Sequence, residues 1–319
     1  MHEDTAVITY LIRRLVQAVV VLFIVSVILF GMLHALPGGL VRAQLGPRAS
    51  QYSVQQVTIQ EGLNKPILAQ FGIWAWHALQ GNLGFSYKLN ESVGALLGLY
   101  LPRTLLLVGS ALFLAIAIAV PLGMWQGYRR NRTDDYVLSS LMLIFYAMPP
   151  FLLGVILIIV FSIWTNLLPS TATNFGNGVG TDLRALALPV FALCLTSVSA
   201  YSRYMRSSVI DNLLSDHVRT AVAKGASTGR MLMRHVLRNS LISIVTLFGL
   251  TLPFIVSGAL IIEQLFNYPG MGLLFWNAAQ QRDFPVLLGV TLVVTVVTVI
   301  GNLVADIGYA VLDPRIRYT

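Results

Sequence analysis

An all-α polytopic membrane protein with six transmembrane helices is the fold class this sequence predicts, and three observations carry it. Of the 319 residues 56% are hydrophobic and only 11% charged, too little charge to coat a water-soluble domain. Mean hydropathy is +0.75. The charges are collected between long charge-free runs, each able to cross roughly 30 Å of hydrocarbon as a helix of about 20 residues.

In order, the runs are 15–33, 104–128, 136–164, 185–202, 239–262 and 284–312. The first lies between Arg14 and His34. It exceeds the apolar core of a signal peptide, about 7–15 residues, and so reads as a retained helix. The third is followed by the polar run NLLPSTATNFGNGVGTD, a loop. The sixth is interrupted only by Asp306. Six crossings place both termini on one side. That side then holds 14 of the 21 basic residues, including Arg13, Arg14, Arg129, Arg130, Arg132, Arg315 and Arg317. Five of the other seven lie in or at the end of one long loop, where charge counts least for topology. The positive-inside bias therefore predicts cytoplasmic termini, and it accounts for the net charge of +8 without nucleic acid. Cys194 is the single cysteine, which excludes an internal disulfide and a Cys-based metal site; it reads as a small buried hydrophobe.

The first outer loop, about 34–100, is too long for a plain connection. Its stretch FGIWAWHALQ predicts a helix lying at headgroup level, where the indoles of Trp74 and Trp76 settle. His77 beside them reads as a polar tip, since no other His or Cys nearby in sequence completes a metal set.

A second loop, about 203–238, is basic and not low in complexity. Within it HVRTAVAKGASTGRMLMRHVLRNS carries Arg219, Lys224, Arg230, Arg234 and Arg238 and no acidic side chain. SDHVRTAVAKG predicts a helix ended by Gly225, a residue suited to the left-handed conformation after a helix. Ser227 is placed to cap a second helix, on which Met231, Leu232, His235 and Val236 share a side. A helix, a glycine corner and a second helix with apolar and basic faces fit docking to a protein partner. The alternative is a solvated basic loop held near anionic lipid.

No Lys follows a Gly anywhere, so a phosphate-cradling G-x-x-x-x-G-K-[ST] loop is absent, as are H-E-x-x-H and G-x-S-x-G. No catalysis is expected of this chain alone. Polar residues do recur inside the last two runs. Thr291, Thr295, Thr298, Asn302 and Asp306 fall on one helical face, and Asn239, Ser243, Thr246, Pro253 and Ser257 recur at similar steps. They read either as a pathway lined by hydrogen-bonding groups or as helix–helix glue. Asp306, near the inner end of its run, asks for a cationic partner such as Arg13 or Arg14. Glu263, at the outer end of the fifth run, reads as part of an outer gate or as an anchor for the loop that follows.

RTAVAKG, then nine residues, then HVLR resembles the cytoplasmic loop motif of ABC-importer permeases, E-A-A-x-x-x-G, nine residues, I-x-L-P. It is similar to the dipeptide/oligopeptide/nickel branch of that family. YLIRRLVQAVVVLFIVSVILFGMLHALPGG, GNLGFSY, LPRTLLLVGS, EQLFNYPGMG, RDFPVLLG and LDPRIRY resemble that branch's landmarks in order, with the first-permease type indicated by the long outer loop and the ending. The motif's Glu is Arg219 here and its final Pro is Arg238.

The resemblance implies a type I ABC importer permease fold. It divides the chain into an N-terminal helix at 1–36, an extracytoplasmic region at 37–94, a permease core at 95–312 and a cytoplasmic tail at 313–319. It implies that Arg219, Thr220, Ala221, Lys224, Gly225, His235 and Arg238 meet a cytoplasmic ATPase. The expected partners are a second homologous permease, one or two such ATPases holding ATP and Mg, an extracytoplasmic binding protein and membrane lipid. No cofactor is expected in the chain itself, and the expected location is a bacterial or archaeal cell membrane. The expected cargo is peptide, with nickel or another small solute as the same-family alternative. A secondary transporter without an ATPase is the alternative from another class, and it would favour mid-membrane carboxylates and inverted repeats.

Overall fold

In hydrocarbon a backbone must satisfy its own N–H and C=O groups, so long apolar runs fold as helices. A computed structural model describes residues 2–34, 40–46, 48–60 and 62–312, with the side chains of 2–12, 33, 40, 43–44, 246, 250–258 and 304–312 outside the described set. The elements are α1 (His2–His34), α2 (Leu40–Leu45), α3 (Gln51–Gln60), α4 (Ile67–Leu79), a hairpin of β1 (Phe85–Ser86) and β2 (Glu91–Ser92), α5 (Val93–Tyr128), α6 (Thr133–Ala147) and α7 (Pro150–Leu157). A π-helical segment Ile158–Trp164 continues α7. Then come α8 (Val179–Leu213), α9 (Asp216–Ala223), α10 (Thr228–Arg230) with a π-helical continuation Met231–Val236, α11 (Leu237–Leu265), α12 (Met271–Gln281) and α13 (Phe284–Leu312).

α1, α5, α8 and α13 each hold a stretch long and apolar enough to cross a membrane. α6 and α7 together make a fifth candidate, bent by 105°. α11 covers the remaining predicted run. The run 136–164, expected as a single helix, is thus broken in two. A proline drives the residue before it out of the helical region, and Met148 (φ −81°, ψ 133°) and Pro149 (φ −59°, ψ 140°) are both extended. The helix restarts with Pro150 in its first turn, where the missing N–H is no loss. The second run also begins earlier, at Val93, because Arg103 does not end the helix. Its guanidinium lies 5.8 Å from the centre of the Tyr100 ring.

Two compact units emerge, one built from 1–103 with 270–300, the other mainly from 104–269. In the first, α4 carries the expected aromatic stretch onto α1. Phe71 meets Phe30 edge-on at 5.4 Å, Trp74 stands 6.1 Å from Phe30, and His34 Nε2 bonds Gln70 Oε1 at 2.7 Å. A core of Val93, Leu97, Met271, Leu274, Val286 and Val290 joins the start of α5 to α12 and α13. Gly289 permits that contact, since a Cβ there would sit 2.4 Å from Val93 Cγ1. The Ser86 hydroxyl donates to the Asp283 carboxylate, and both groups are buried.

The second unit has two apolar clusters. One gathers Met205, Val209, Val218, Met231, Val236 and Ile244, and so joins α8, the short helices after it and α11. The other centres on Leu107, Leu188, Ile262, Phe266 and Tyr268. α5 approaches α8 closely through a small-residue pair: a Cβ on Gly123 would lie 2.5 Å from Met205 Cβ, and one on Gly127 2.6 Å from Val209 Cγ1.

Candidate functional site

The basic loop folds as a knuckle between α8 and α11. α9 ends at Ala223, and the chain turns at Gly225 with φ +81°, a conformation that costs any residue with a Cβ. Ser227 occupies the N-cap position of α10 in extended conformation, without a side-chain capping bond. The chain then runs through the π-helical turn directly into α11. That turn decides the packing. A π turn holds an extra residue, so positions five apart stack, and Met231 and Val236 both enter the core. Leu232 and His235 are half-buried beside them. From α9, Val218 is buried in the same cluster.

Hydrogen bonds continue the attachment along the seam between α8 and α11. Asn212 Nδ2 donates to Ser240 Oγ at 3.2 Å and to the Ser208 carbonyl at 2.8 Å, and Ser243 Oγ donates to Ser208 Oγ at 3.1 Å. His217 Nε2 and Asn239 Nδ2 lie 2.9 Å apart. Below the knuckle, Arg206 of α8 clamps Asp135 of α6 with two bonds, Nε to Oδ1 and a terminal nitrogen to Oδ2, both 2.7 Å. The backbone N–H of Asn131 adds a third bond to that carboxylate at 3.0 Å. Two-pronged pairs of this kind fix orientation as well as energy.

The outward face is different. Arg219, Thr220, Lys224, Gly225, Arg230, Arg234 and Arg238 are exposed, and Ala221 is half-buried. Arg219 comes no closer than 4.0 Å to Asp216, which is also exposed. Val222 and Met233 stand 52% and 62% exposed among these cations. The exposed side of the knuckle thus carries two apolar side chains and five cations, with Asp216 beside Arg219, on a base packed against two long helices.

The predicted polar residues elsewhere do not converge with it. Thr291 and Thr295 donate to the carbonyls one turn back, Leu287 O at 2.8 Å and Thr291 O at 2.7 Å. Asn302 is exposed. Glu263 is fully buried; Thr104 Oγ1 donates to its Oε1 at 2.6 Å, and its carbonyl accepts from the Tyr268 N–H at 2.8 Å. Asp306, Thr246, Pro253 and Ser257 lie outside the described side chains, and with Asp306 goes the expected pairing to Arg13 or Arg14. Among the described residues no group of three His, Cys, Asp or Glu could hold a metal ion.

The Asp135–Arg206 clamp has no counterpart in the sequence reading, where Arg206 entered only as one of the inside basic residues. The spacings Ser208/Asn212 and Ser240/Ser243, one turn each on facing helices, were the available signal for the α8–α11 seam.

Residues 119–318 match the profile of the family described as binding-protein-dependent transport system inner membrane component, and residues 7–108 match that of its N-terminal region. The oligopeptide transport system permease protein AppB of Bacillus subtilis (strain 168) is 36% identical over 313 residues, covering 97% of this chain and 99% of that one. The glutathione transport system permease protein GsiC of Escherichia coli (strain K12) is 34% identical over 310 residues, with the same coverage. Among solved structures, the MetNI methionine ABC transporter in inward facing conformations shares the fold, with a TM-score of 0.52 at 16% identity over 67% of this chain and 96% of that one. With matched profiles over both parts of the chain, several apolar helices and a shared permease fold, this protein belongs to the binding-protein-dependent transport system inner membrane component family and is a multi-pass membrane permease of an ABC importer.

Proposed function

We propose that this permease forms half of the translocation path of an ATP-driven importer of di- or oligopeptides, with a second homologous permease forming the other half. The knuckle 211–238 meets a cytoplasmic ATPase, which supplies the ATP and Mg; an extracytoplasmic binding protein delivers the cargo. The observation that carries this reading is the two-sided knuckle. Its inner side is locked to α8 and α11 by Val218, Met231 and Val236, while its outer side presents Val222 and Met233 among unburied cations. A partner that moves this face moves two long helices with it as rigid bodies. In this reading both termini lie in the cytoplasm, which the excess of basic residues on that side supports.

The cargo assignment is supported by relatives named for oligopeptide and glutathione transport, and glutathione is itself a tripeptide. Neutral hydroxyls and amides with aliphatic neighbours suit a path that must admit and release varied side chains. The test is competition for uptake by the complete importer in proteoliposomes. Short peptides are expected to compete with one another for ATP-dependent uptake; micromolar nickel uptake without peptide competition would replace peptide with metal.

A further inference from the structure

α8 carries two arginines one turn apart, and they are used differently. Arg206 is committed to Asp135 through two bonds. Arg203 is exposed, and its guanidinium carbon rests 4.8 Å from the centre of the Tyr146 ring on α6. Among the described residues it has no carboxylate partner. The two helices border an open cleft of ≈ 530 Å³ here, lined also by Leu143, Tyr204 and Ser207. Tyr146 and Tyr204, which both line the cleft, stand 52% and 55% exposed.

α8 is 35 residues long, more than the roughly 20 a crossing needs, and Arg203 follows directly on the charge-free run 185–202, at the inner mouth of the bundle, where a guanidinium is reachable by solutes leaving the path. A ring face is a weaker partner for guanidinium than a carboxylate held by two charge-assisted bonds. Arg203 is thus parked where an arriving carboxylate can take it over, and the ring reclaims it when the carboxylate leaves. A transport path needs contacts that form and release in this way. Arg206 does not compete, because Asp135 already neutralises it.

We propose that this cleft is a carboxylate station on the translocation path, at which Arg203 takes the C-terminal carboxylate of a peptide while the hydroxyls of Tyr146, Tyr204 and Ser207 donate to its oxygens. The proposal rests on the peptide reading above and names a part of the peptide that the permease itself senses.

The test uses the assembled importer with its binding protein in proteoliposomes and one labelled tripeptide in two forms, with a free C-terminus and with a C-terminal amide. The readout is the ratio of free-acid to amide uptake; the binding protein is the same throughout, so a changed ratio belongs to the permease. Arg203→Gln is expected to lower the ratio about tenfold, the loss of one charge-assisted pair, and Arg203→Lys to restore most of it. An unchanged ratio in an Arg203→Gln importer that assembles and hydrolyses ATP overturns the proposal. Should Arg203→Gln fail to assemble, Tyr204→Phe with Ser207→Ala keeps the charge and is expected to lower the ratio about threefold; no change there overturns the proposal equally. An equal loss for both peptide forms that tracks the anionic phospholipid content of the vesicles overturns it in favour of a lipid headgroup. If the wild-type importer hydrolyses ATP but takes up neither form, the peptide reading falls and takes this proposal with it, an outcome distinct from peptide uptake with an unchanged ratio.

Discussion

The two ends of α11 solve the same problem in opposite ways. Each is a helix terminus next to a polar turn. At the outer end the polar groups are turned inward. Glu263 is buried against Thr104, and the Phe266 carbonyl accepts from Ala172 N–H at 2.7 Å. Phe175 packs edge-on against Tyr268 at 5.0 Å. At the inner end the attachment is apolar and the charges point out, from Arg219 to Arg238. An end that satisfies its own charges is an anchor. The inner end leaves five cations exposed on a base packed into α8 and α11.

The largest expected effect is all-or-none and asks whether these ends lie on opposite sides of the membrane. Asn174 and Thr228 are both exposed, one near each end. In intact cells an impermeant thiol reagent should label Asn174→Cys, and should reach Thr228→Cys only in inverted vesicles. The reverse pattern would turn the comparison upside down and remove the knuckle from the cytoplasm.

Next in size is Gly225→Trp. The left-handed backbone at φ +81° disfavours any Cβ, and the space around it is open, so the indole would project from the outward face rather than into the core. Uptake should fall at least roughly tenfold, equivalent to about 1.4 kcal/mol of lost docking, with yield and thermal stability nearly unchanged. Gly225→Asn, a residue that tolerates the left-handed region, should retain most uptake. If both variants transport normally in the complete importer, the outward face has no coupling role.

How far this contrast was legible in the sequence differs between the ends. Gly225 was readable, because a glycine after a helical pattern has a geometric meaning. The core set Met231, Leu232, His235 and Val236 was readable too, although α-helical spacing does not explain why Met231 and Val236 are the deepest pair; the π turn does. The fifth run lies within three residues of α11 at each end and the sixth coincides with α13, whereas α1, α5 and α8 extend eleven or more residues past their charge-bounded runs, because a charge at a membrane boundary does not end a helix. The break at Met148–Pro149 was lost inside an unbroken apolar run, since hydropathy does not register backbone restriction. Pairings such as Asp135–Arg206 and Thr104–Glu263 join residues far apart in sequence, and composition alone contains no information on which distant charge meets which donor.

Glu263→Ala sharpens the outer half of the comparison. It removes a fully buried acceptor and leaves the Thr104 hydroxyl without that partner. Removing one partner of a buried hydrogen bond costs about 1–3 kcal/mol, so a destabilisation of about 2 kcal/mol is expected in thermal unfolding of the purified permease. Glu263→Gln preserves shape and an acceptor oxygen and should lose less. A gate role would show differently, as altered uptake in a variant of unchanged stability.

The smallest effect separates glue from pathway at the inner end. Ser243 donates to Ser208 across the α8–α11 seam at 3.1 Å. Hydrogen bonds between membrane helices contribute on average about 0.6 kcal/mol. Ser243→Ala should therefore cost about 0.5 kcal/mol and leave peptide uptake within about twofold. The decisive variant is the double substitution. If the two hydroxyls serve chiefly each other, Ser208→Ala with Ser243→Ala should be scarcely less stable than either single change, because the second removes a bond already gone. Additive losses in stability would mean that each hydroxyl has separate duties. A selective change in peptide preference in the stable Ser243→Ala permease would move that hydroxyl from the seam into the path, and the inner end of α11 would then be both lever and lining.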